Sequence, residues 1–535
     1  MSEVLRYDCL KSDLAIYVIQ ENERICIYGS CSILCLTGNA VLNDFPLPEV
    51  SYSKGNLVKL SAPQAMHIPA ILQIHPYHKN YKYARIKFRL KEIAPNCYED
   101  IMKKIGHTTP AVFVFNKELK TPEMAANNAL PNFLVHSSIQ KGIFRPPFYT
   151  ISRMDFYIYP EESDNQLNSC IRNLKLKQDN LQRVSILPIG HKGAGKSNLV
   201  RSIINRCLAN EFTPCGCLTL TKIHSPIFDK PYGHQLAKFS NTYFYGDIII
   251  NNLDLYKDIF ERLWNSFVST SEPGAICVIN SMGWLEDAGR DILLRILEST
   301  RADLIVEICR DPSVAKFKYS LPRGSSCISI FPNNALITDV PTEKKLKAAM
   351  IRELTSVGYF STIFPTSYVS SIAQATPYRI NFKEITFLLP NELLVEDSKM
   401  IASLNCQTVA LCEPIPELKS RRICDSSNLP SLAIHDESTP ALKCFGFAII
   451  RGFCFEKREL YLLSPVNLMK CDEIPILARG KRITTSPILF GSQIDHTSPY
   501  TVITSTSRKH AGSANVDEMY CALSVTTSFK RTRNL

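Results

Sequence analysis

Between Leu14 and Ile74, apolar residues alternate with polar or small ones in short runs broken by turn residues. LAIYVIQ, RICIYG, SILCLTGNAVL and NLVKLSA each read as a strand, and together they predict an antiparallel β module. From Pro76 to Asn180 the pattern weakens. TTPAVFVFNKELKTPEMAANNALPNF predicts a strand, a loop and a short helix, and its prolines hold FRPPFY extended. From Arg183 to Cys309 the chain alternates strand, loop and helix. RVSILPI, GAICVIN and ADLIVEIC are strand patterns, while SNLVRSIINRCL and GRDILLRILEST have helical spacing. That alternation predicts an α/β domain with a mainly parallel sheet. Thr342–Phe360 is a basic amphipathic helix pattern. Beyond Pro377 short strands return as ITFLLP, TVALCEP, CFGFAIIRGFCF and ELYLLSPV. The polar run KSRRICDSSNLPSLAIHDESTP between them is expected to be a mobile loop, and FKRTRNL a basic tail.

At roughly 100–200 residues per domain, 535 residues suit about three domains. A hydrophobic share of 45% against 21% charged residues excludes a mainly disordered chain. No apolar run approaches the roughly 18 residues of a membrane-spanning helix. The opening MSEVLRYDCLKSD carries charges throughout and lacks a signal-peptide core, so secretion is not expected. The net charge of +11 permits a nucleic-acid partner without demanding one. The 19 cysteines are scattered. Cys207, Cys215 and Cys217 lie close together, but no matching Cys/His cluster follows, so reduced and mostly buried thiols are expected.

The chemistry concentrates in Gly190-His191-Lys192-Gly193-Ala194-Gly195-Lys196-Ser197, a complete GxxxxGK(S/T) phosphate-binding loop between a strand and a helix. Its glycines let the backbone curl until N–H groups face phosphate oxygens, and the helix N-terminus adds partial positive charge. Lys196 is expected to reach the β- and γ-phosphates and Ser197 to ligate Mg²⁺. Asn198 completes the expected nucleotide-binding set. His191 and Lys192 occupy the motif's variable positions. Pro188 inside the leading strand removes a ladder donor. The loop grips a nucleotide without saying what receives the phosphate, since ATPases, GTPases and small-molecule or RNA kinases share it. His224 and His234 are lone histidines, for which a structural role is the ordinary reading. Asp247 ends a strand pattern and suits a turn, a cap or a place near the site.

The flanking segments narrow the choice. EFTPCGCLTLTKIHSP (Glu211–Pro226), FYGD, VINSMGW (Val278–Trp284) followed by DAGRDIL, PYRINF, ALC and CFGFAIIRGFCFEKRELYLLSPV occur in a characteristic order. On these residues the chain resembles the nucleolar polynucleotide 5′-hydroxyl kinases of pre-ribosomal RNA processing, the nucleolar-protein-nine family. It is more distantly similar to the RNA kinase of the messenger-RNA cleavage machinery. The resemblance implies a nuclear, nucleolar enzyme that uses ATP and Mg²⁺ to phosphorylate the 5′-hydroxyl of RNA. The RNA end is supplied by a partner endonuclease that cuts the internal transcribed spacer. It further implies that Trp284, in the N-(T/S)-x-G-W motif, stacks on a nucleobase; on position alone a core or interface aromatic fits as well. Ser281 takes the usual threonine's place and keeps a hydroxyl. The Thr342–Phe360 helix matches the family's lid. There Lys344, Lys345, Lys347 and Arg352 would meet phosphates, with Arg352 as the transition-state cation. The expected organisation is a β-rich domain over 1–125, a connecting segment over 126–180, a P-loop kinase domain over 181–376 with its lid helix at 342–360, and a β-rich domain over 377–535.

One segment departs from the resemblance. Relatives of this kind carry, after the P-loop helix, a second core strand ending in D-x-D-x-G-Q. Here Ser197–Asn210 runs straight into Glu211-Phe212-Thr213-Pro214, and Glu211 is the sole carboxylate between Ser197 and Phe212. The lost aspartates would orient Mg²⁺ and accept the proton of the attacking hydroxyl. The lost strand is expected to leave a gap beside the P-loop strand, at about 1 kcal/mol or more per missing hydrogen bond or buried side chain. Three accounts follow: a segment omitted from the coding sequence, a splice variant, or an inactive chain that binds nucleotide or RNA as a scaffold.

Overall fold

The structure, a computed structural model, describes residues 5–9, 13–66, 68–76, 83–105, 110–130, 133–135, 148–152, 158–212, 214–217, 221–229, 241–309, 322–332, 346, 348–364, 372–390, 401, 403–416, 418, 422–424, 429–470 and 475–490. Two compact units result, one formed by 1–240 with 263–355, the other by 241–262 with 356–535.

In the first unit the N-terminal alternation becomes a nine-stranded sheet. Its longest member, Arg24–Thr37, pairs antiparallel with Val58–Ala62, Ala70–His75, Ala111–Asn116 and Phe148–Ser152. The period of two divides its side chains between two cores. Tyr17, Ile33, Phe113 and Phe115 enter one core; Ile16, Val18, Leu34, Val112 and Val114 enter the other. Helices Tyr83–Ile93 and Tyr98–Ile105 contribute Ile86, Leu90, Ile101 and Ile105 to that second core. Both lie in the stretch where the sequence pattern is weak.

The second sheet of this unit carries the phosphate-binding loop. Its parallel strands run in the order Pro214–Cys217, Ile276–Ile279, Val184–Ile189, Leu304–Ile308, Ser326–Ile330, with Thr221–Lys222 antiparallel at the edge. Helices Lys196–Ala209 and Glu161–Asp179 bury Leu199, Ile203, Leu167 and Ile171 against Val184, Ile186, Val278 and Val306. The expected gap is not there. The P-loop strand has neighbours on both sides, Ile276–Ile279 and Leu304–Ile308, and Pro214–Cys217 forms the next row in register with Ile276–Ile279. The four-residue strand after Phe212 closes this side of the sheet without the D-x-D-x-G-Q segment. Its proline is tolerated as the first residue of the strand.

The second unit holds another nine-stranded sheet, with Leu442–Cys454 between Thr408–Cys412 and Glu459–Leu463. The run expected as a mobile loop supplies two of its strands, Arg422–Cys424 and Ser431–His435. The latter pairs in parallel with Thr386–Pro390, so that ladder and burial of Leu432 and Ala433 outweigh the polar composition around them. Among the described residues no helix is long and apolar enough to cross a membrane.

A polar seam joins the N-terminal sheet to the P-loop helix inside the first unit. The Asn43–Asp44 turn has positive φ at both residues, 44° and 69°. Asp44 accepts from Ser202 Oγ (2.6 Å) and pairs with Arg206 (2.6 Å), while Asn205 Nδ2 donates to the Asn43 carbonyl (2.9 Å). Arg206 also pairs with Asp164 (2.5 Å) and donates to Asn168. Its side chain is 4% exposed, whereas those of Asp44 and Asp164 are 31% and 36% exposed. Removing the guanidinium strands two carboxylates. Arg206→Met is expected to cost about 2–3 kcal/mol, less than the ~3–5 of a fully buried pair because both acids keep some water. Urea unfolding followed by circular dichroism measures this. A loss under about 0.5 kcal/mol would mean that solvent screens the seam.

Candidate functional site: the phosphate-binding loop

The loop's shape follows from close approach. A first side-chain carbon at Gly190 (φ +155°) would lie 2.5 Å from the Ile308 carbonyl oxygen, so only a bare backbone passes there. Gly193 and Gly195 also have positive φ, 80° and 109°. The turn is closed by Ala194 N–H donating to the His191 carbonyl (3.1 Å) and by Asn198 N–H donating to Gly195 (3.0 Å). Helix Lys196–Ala209 then begins with no side chain capping it. Its N-terminal amides and partial positive charge therefore face the concavity of the loop.

Lys196 is folded back over this loop. Its Nζ donates to the carbonyls of Gly190 (2.6 Å) and His191 (3.1 Å), and the residue is 9% exposed. Burial pushes the ammonium's pKa down to about 8. His191, Lys192 and the Ser197 side chain are exposed, and Asn198 is half-buried, accepting from Arg201 (3.3 Å). Burial likewise lowers the Arg201 pKa, to about 10. The uncapped helix start, the amide-lined curl, a lysine beside it and an exposed serine hydroxyl in the first turn fit a nucleotide triphosphate with its Mg²⁺.

The turn Asn280–Trp284 is strapped to the loop. Lys192 N–H donates to the Gly283 carbonyl (3.0 Å), and Ser281 Oγ donates to the Pro188 carbonyl (3.1 Å). A side chain at Gly283 would meet the Lys192 backbone and Lys196 Nζ at 2.8 Å. The Pro188 oddity is thereby explained. The ladder toward Ile276–Ile279 ends at Ile186, so the missing N–H falls beyond the last paired residue. Trp284 stands at the end of this turn with 38% of its surface exposed. The contacts of Gly283 and Ser281 are not shown by sequence spacing, since the Gly283 carbonyl accepts from a backbone N–H and the Ser281 hydroxyl donates to a backbone carbonyl.

Arg352 is exposed on helix Ala348–Ser361; Lys344, Lys345 and Lys347 fall outside the described residues. Asp247 belongs to the second unit, where its buried carboxylate accepts from Ile248 N–H (2.6 Å) and Asn251 Nδ2 (2.9 Å) as a turn cap. His224 is exposed, and His234 is outside the described residues. Cys207 is a buried free thiol, and burial raises its pKa to about 12.

A parallel sheet whose middle strand runs through such a loop into a helix defines a P-loop NTPase domain, here with β-rich sheets on both sides in sequence. Residues 190–362 match the family model described as the mRNA cleavage and polyadenylation factor CLP1 P-loop, and residues 373–485 match the NOL9-like C-terminal domain. The polynucleotide 5′-hydroxyl-kinase nol-9 of Caenorhabditis elegans is 47% identical over 550 aligned positions, covering 100% of both chains. That of Caenorhabditis briggsae is 48% identical over 93% of this chain and 94% of its own. Human NOL9 is 23% identical over 52% of this chain and 46% of its own. A solved Clp1p–Pcf11p complex aligns over 87% of this chain and 97% of that one, at 12% identity and a TM-score of 0.48. The chain belongs to the NOL9 family of polynucleotide 5′-hydroxyl kinases. The 550 aligned positions exceed this chain's 535 residues by 15, so at least 15 positions of the C. elegans protein have no counterpart here.

Lys196 generates a proton-linked prediction. Its lowered pKa leaves much of it neutral at pH 8.5, and a bound triphosphate restores the charge. ATP binding at pH 8.5 is therefore expected to take up a fraction of a proton, and affinity should fall as pH rises through about 8. Calorimetry in buffers of differing ionisation enthalpy reads the uptake. Identical heats in all buffers would place Lys196 as fully charged before binding.

Proposed function

We propose that this chain transfers the γ-phosphate of ATP to the 5′-hydroxyl end of RNA during maturation of the ribosomal RNA internal transcribed spacer, in the nucleolus, beside the endonuclease that creates that end. The observation that carries the reading is the 47% identity spanning all of both chains with a protein named for 5′-hydroxyl kinase activity, together with an intact phosphate-binding loop. In this reading Gly190–Asn198 hold the triphosphate, and Lys196 moves from the loop carbonyls onto the β- and γ-phosphates. Ser197 would hold Mg²⁺ through its hydroxyl, and the ion would supply charge compensation for the triphosphate. Trp284 stacks on a base of the RNA end. Arg352 brings a cation to the transferred group when its helix closes. The 5′-oxygen attacks phosphorus, the ADP oxygen leaves, and the hydroxyl proton passes to a base.

A second reading is favoured by one observation: between Ser197 and Phe228, Glu211 is the sole carboxylate. A chain without the usual base and metal-orienting acids would bind nucleotide and RNA as a scaffold for the endonuclease. Incubation with γ-labelled ATP and a 5′-hydroxyl oligoribonucleotide separates the two. Transfer that drops by about 100-fold or more in Lys196→Ala is expected of the kinase. Folded protein that binds RNA and the endonuclease yet transfers nothing would leave the scaffold. Transcripts carrying an in-frame insert between the Asn210 and Glu211 codons would restore the acids to the natural protein.

A further inference from the structure

Trp284 does not stand free on its turn. Its indole lies against Gly289, the third residue of helix Asp287–Thr300. A first side-chain carbon at Gly289 would sit 2.6 Å from Trp284 Cγ, 2.7 Å from Cδ2 and 2.5 Å from the Trp284 carbonyl oxygen. These separations are closer than real side-chain carbons come to a ring or a backbone oxygen. Gly289 is itself buried, and its N–H donates to the Glu286 carbonyl (2.9 Å). Glycine within a helix costs about 1 kcal/mol relative to alanine. Here the space alanine would fill is taken by the Trp284 carbonyl oxygen and the indole together. The Cγ–Cδ2 part of the ring lies against bare helix backbone, while 38% of the residue's surface stays open to solvent.

We propose that Gly289 is a positioning residue for RNA: by lacking a side chain it seats the Trp284 indole against the helix and fixes its open face as a preformed platform for a nucleobase. An indole held by backbone loses little further freedom when a base lands on it. That favours a preorganised stacking site over an aromatic that must be ordered on binding. The other side of the same turn is held by the Gly283 carbonyl on Lys192 N–H, so the platform has a defined place beside the phosphate-binding loop. The inference rests on the reading of Trp284 as the stacking residue.

Binding of a fluorescent 5′-hydroxyl oligoribonucleotide by the full chain, followed by anisotropy, tests it without depending on catalysis. Trp284→Ala is expected to weaken binding about 5- to 150-fold, the range for loss of one stacked base. Gly289→Ala should weaken it to a similar extent, and the double variant should be no worse than Trp284→Ala. A glycine acting on fold alone would add its loss to that of Trp284. In a Trp264→Phe background, which leaves Trp284 as the single indole, RNA should quench the fluorescence, and Gly289→Ala should abolish most of that quenching. If Gly289→Ala folds poorly, the double variant should recover part of the lost melting temperature, because removing the indole relieves the contacts with Cγ and Cδ2 while the Trp284 carbonyl contact remains; no recovery would show that the glycine serves the carbonyl alone and would overturn the packing argument. Unchanged RNA affinity in Trp284→Ala would refute the stacking reading itself. A strong Trp284→Ala effect with none from Gly289→Ala would refute only the role of Gly289.

Discussion

The site depends on one contact, the bare backbone of Gly190 against the carbonyl of Ile308. Two adjacent parallel strands end side by side, Ile189 paired with Glu307, and the chain must turn at once into a helix. Only a residue without a side chain passes that carbonyl. The turn then lays the carbonyls of Gly190 and His191 under the Lys196 ammonium and opens the helix N-terminus to the loop. Loop, lysine and helix follow from that passage. Burial of Lys196 lowers its pKa because the charge is removed from water with only carbonyl dipoles in compensation.

Around this turn the protein builds support with polar groups as well as apolar ones. One face of the P-loop helix packs Leu199 and Ile203 on the sheet. Ser202, Asn205 and Arg206 meet the Asn43–Asp44 turn of the N-terminal sheet. A helix that binds phosphate through its first turn cannot be allowed to slide. The seam fixes it along its length by hydrogen bonds of defined geometry, which apolar contacts alone do not provide. The turn carrying Trp284 is treated likewise, with Gly283 and Ser281 tied to Lys192 and Pro188. Nucleotide loop and candidate base platform are one hydrogen-bonded structure.

No D-x-D-x-G-Q segment follows the P-loop helix in the sequence, and the sheet closes without one. The sheet closes because Pro214–Cys217 pairs with Ile276–Ile279, a strand already held by the P-loop strand. The other edge of Pro214–Cys217 is covered by the two-residue antiparallel strand Thr221–Lys222. Carboxylates are different: they act at one place, and no neighbouring residue substitutes merely by being polar. A phosphate-binding loop that is complete, in a sheet that is closed, is therefore compatible with either reading of the chain's chemistry.

Much of this was legible in the sequence. The period of two around Tyr17, Ile33 and Phe113, the strand–loop–helix rhythm after Arg183 and the GxxxxGK(S/T) loop each rest on local residue order. Local order also determines glycine's conformational freedom and side-chain alternation. Helix Glu161–Asp179 escaped because its buried positions, Ser163, Leu167, Ile171 and Leu174, form a narrow stripe in an otherwise polar run. Strand Ser431–His435 escaped because its ladder partner, Thr386–Pro390, lies about forty residues away. The sequence by itself determined the class of fold and the loop that grips phosphate. Tertiary structure alone decided which strand closes the sheet, where the Trp284 indole rests and which carbonyls hold Lys196. Those outcomes depend on contacts between residues far apart in the chain, and no local pattern encodes them.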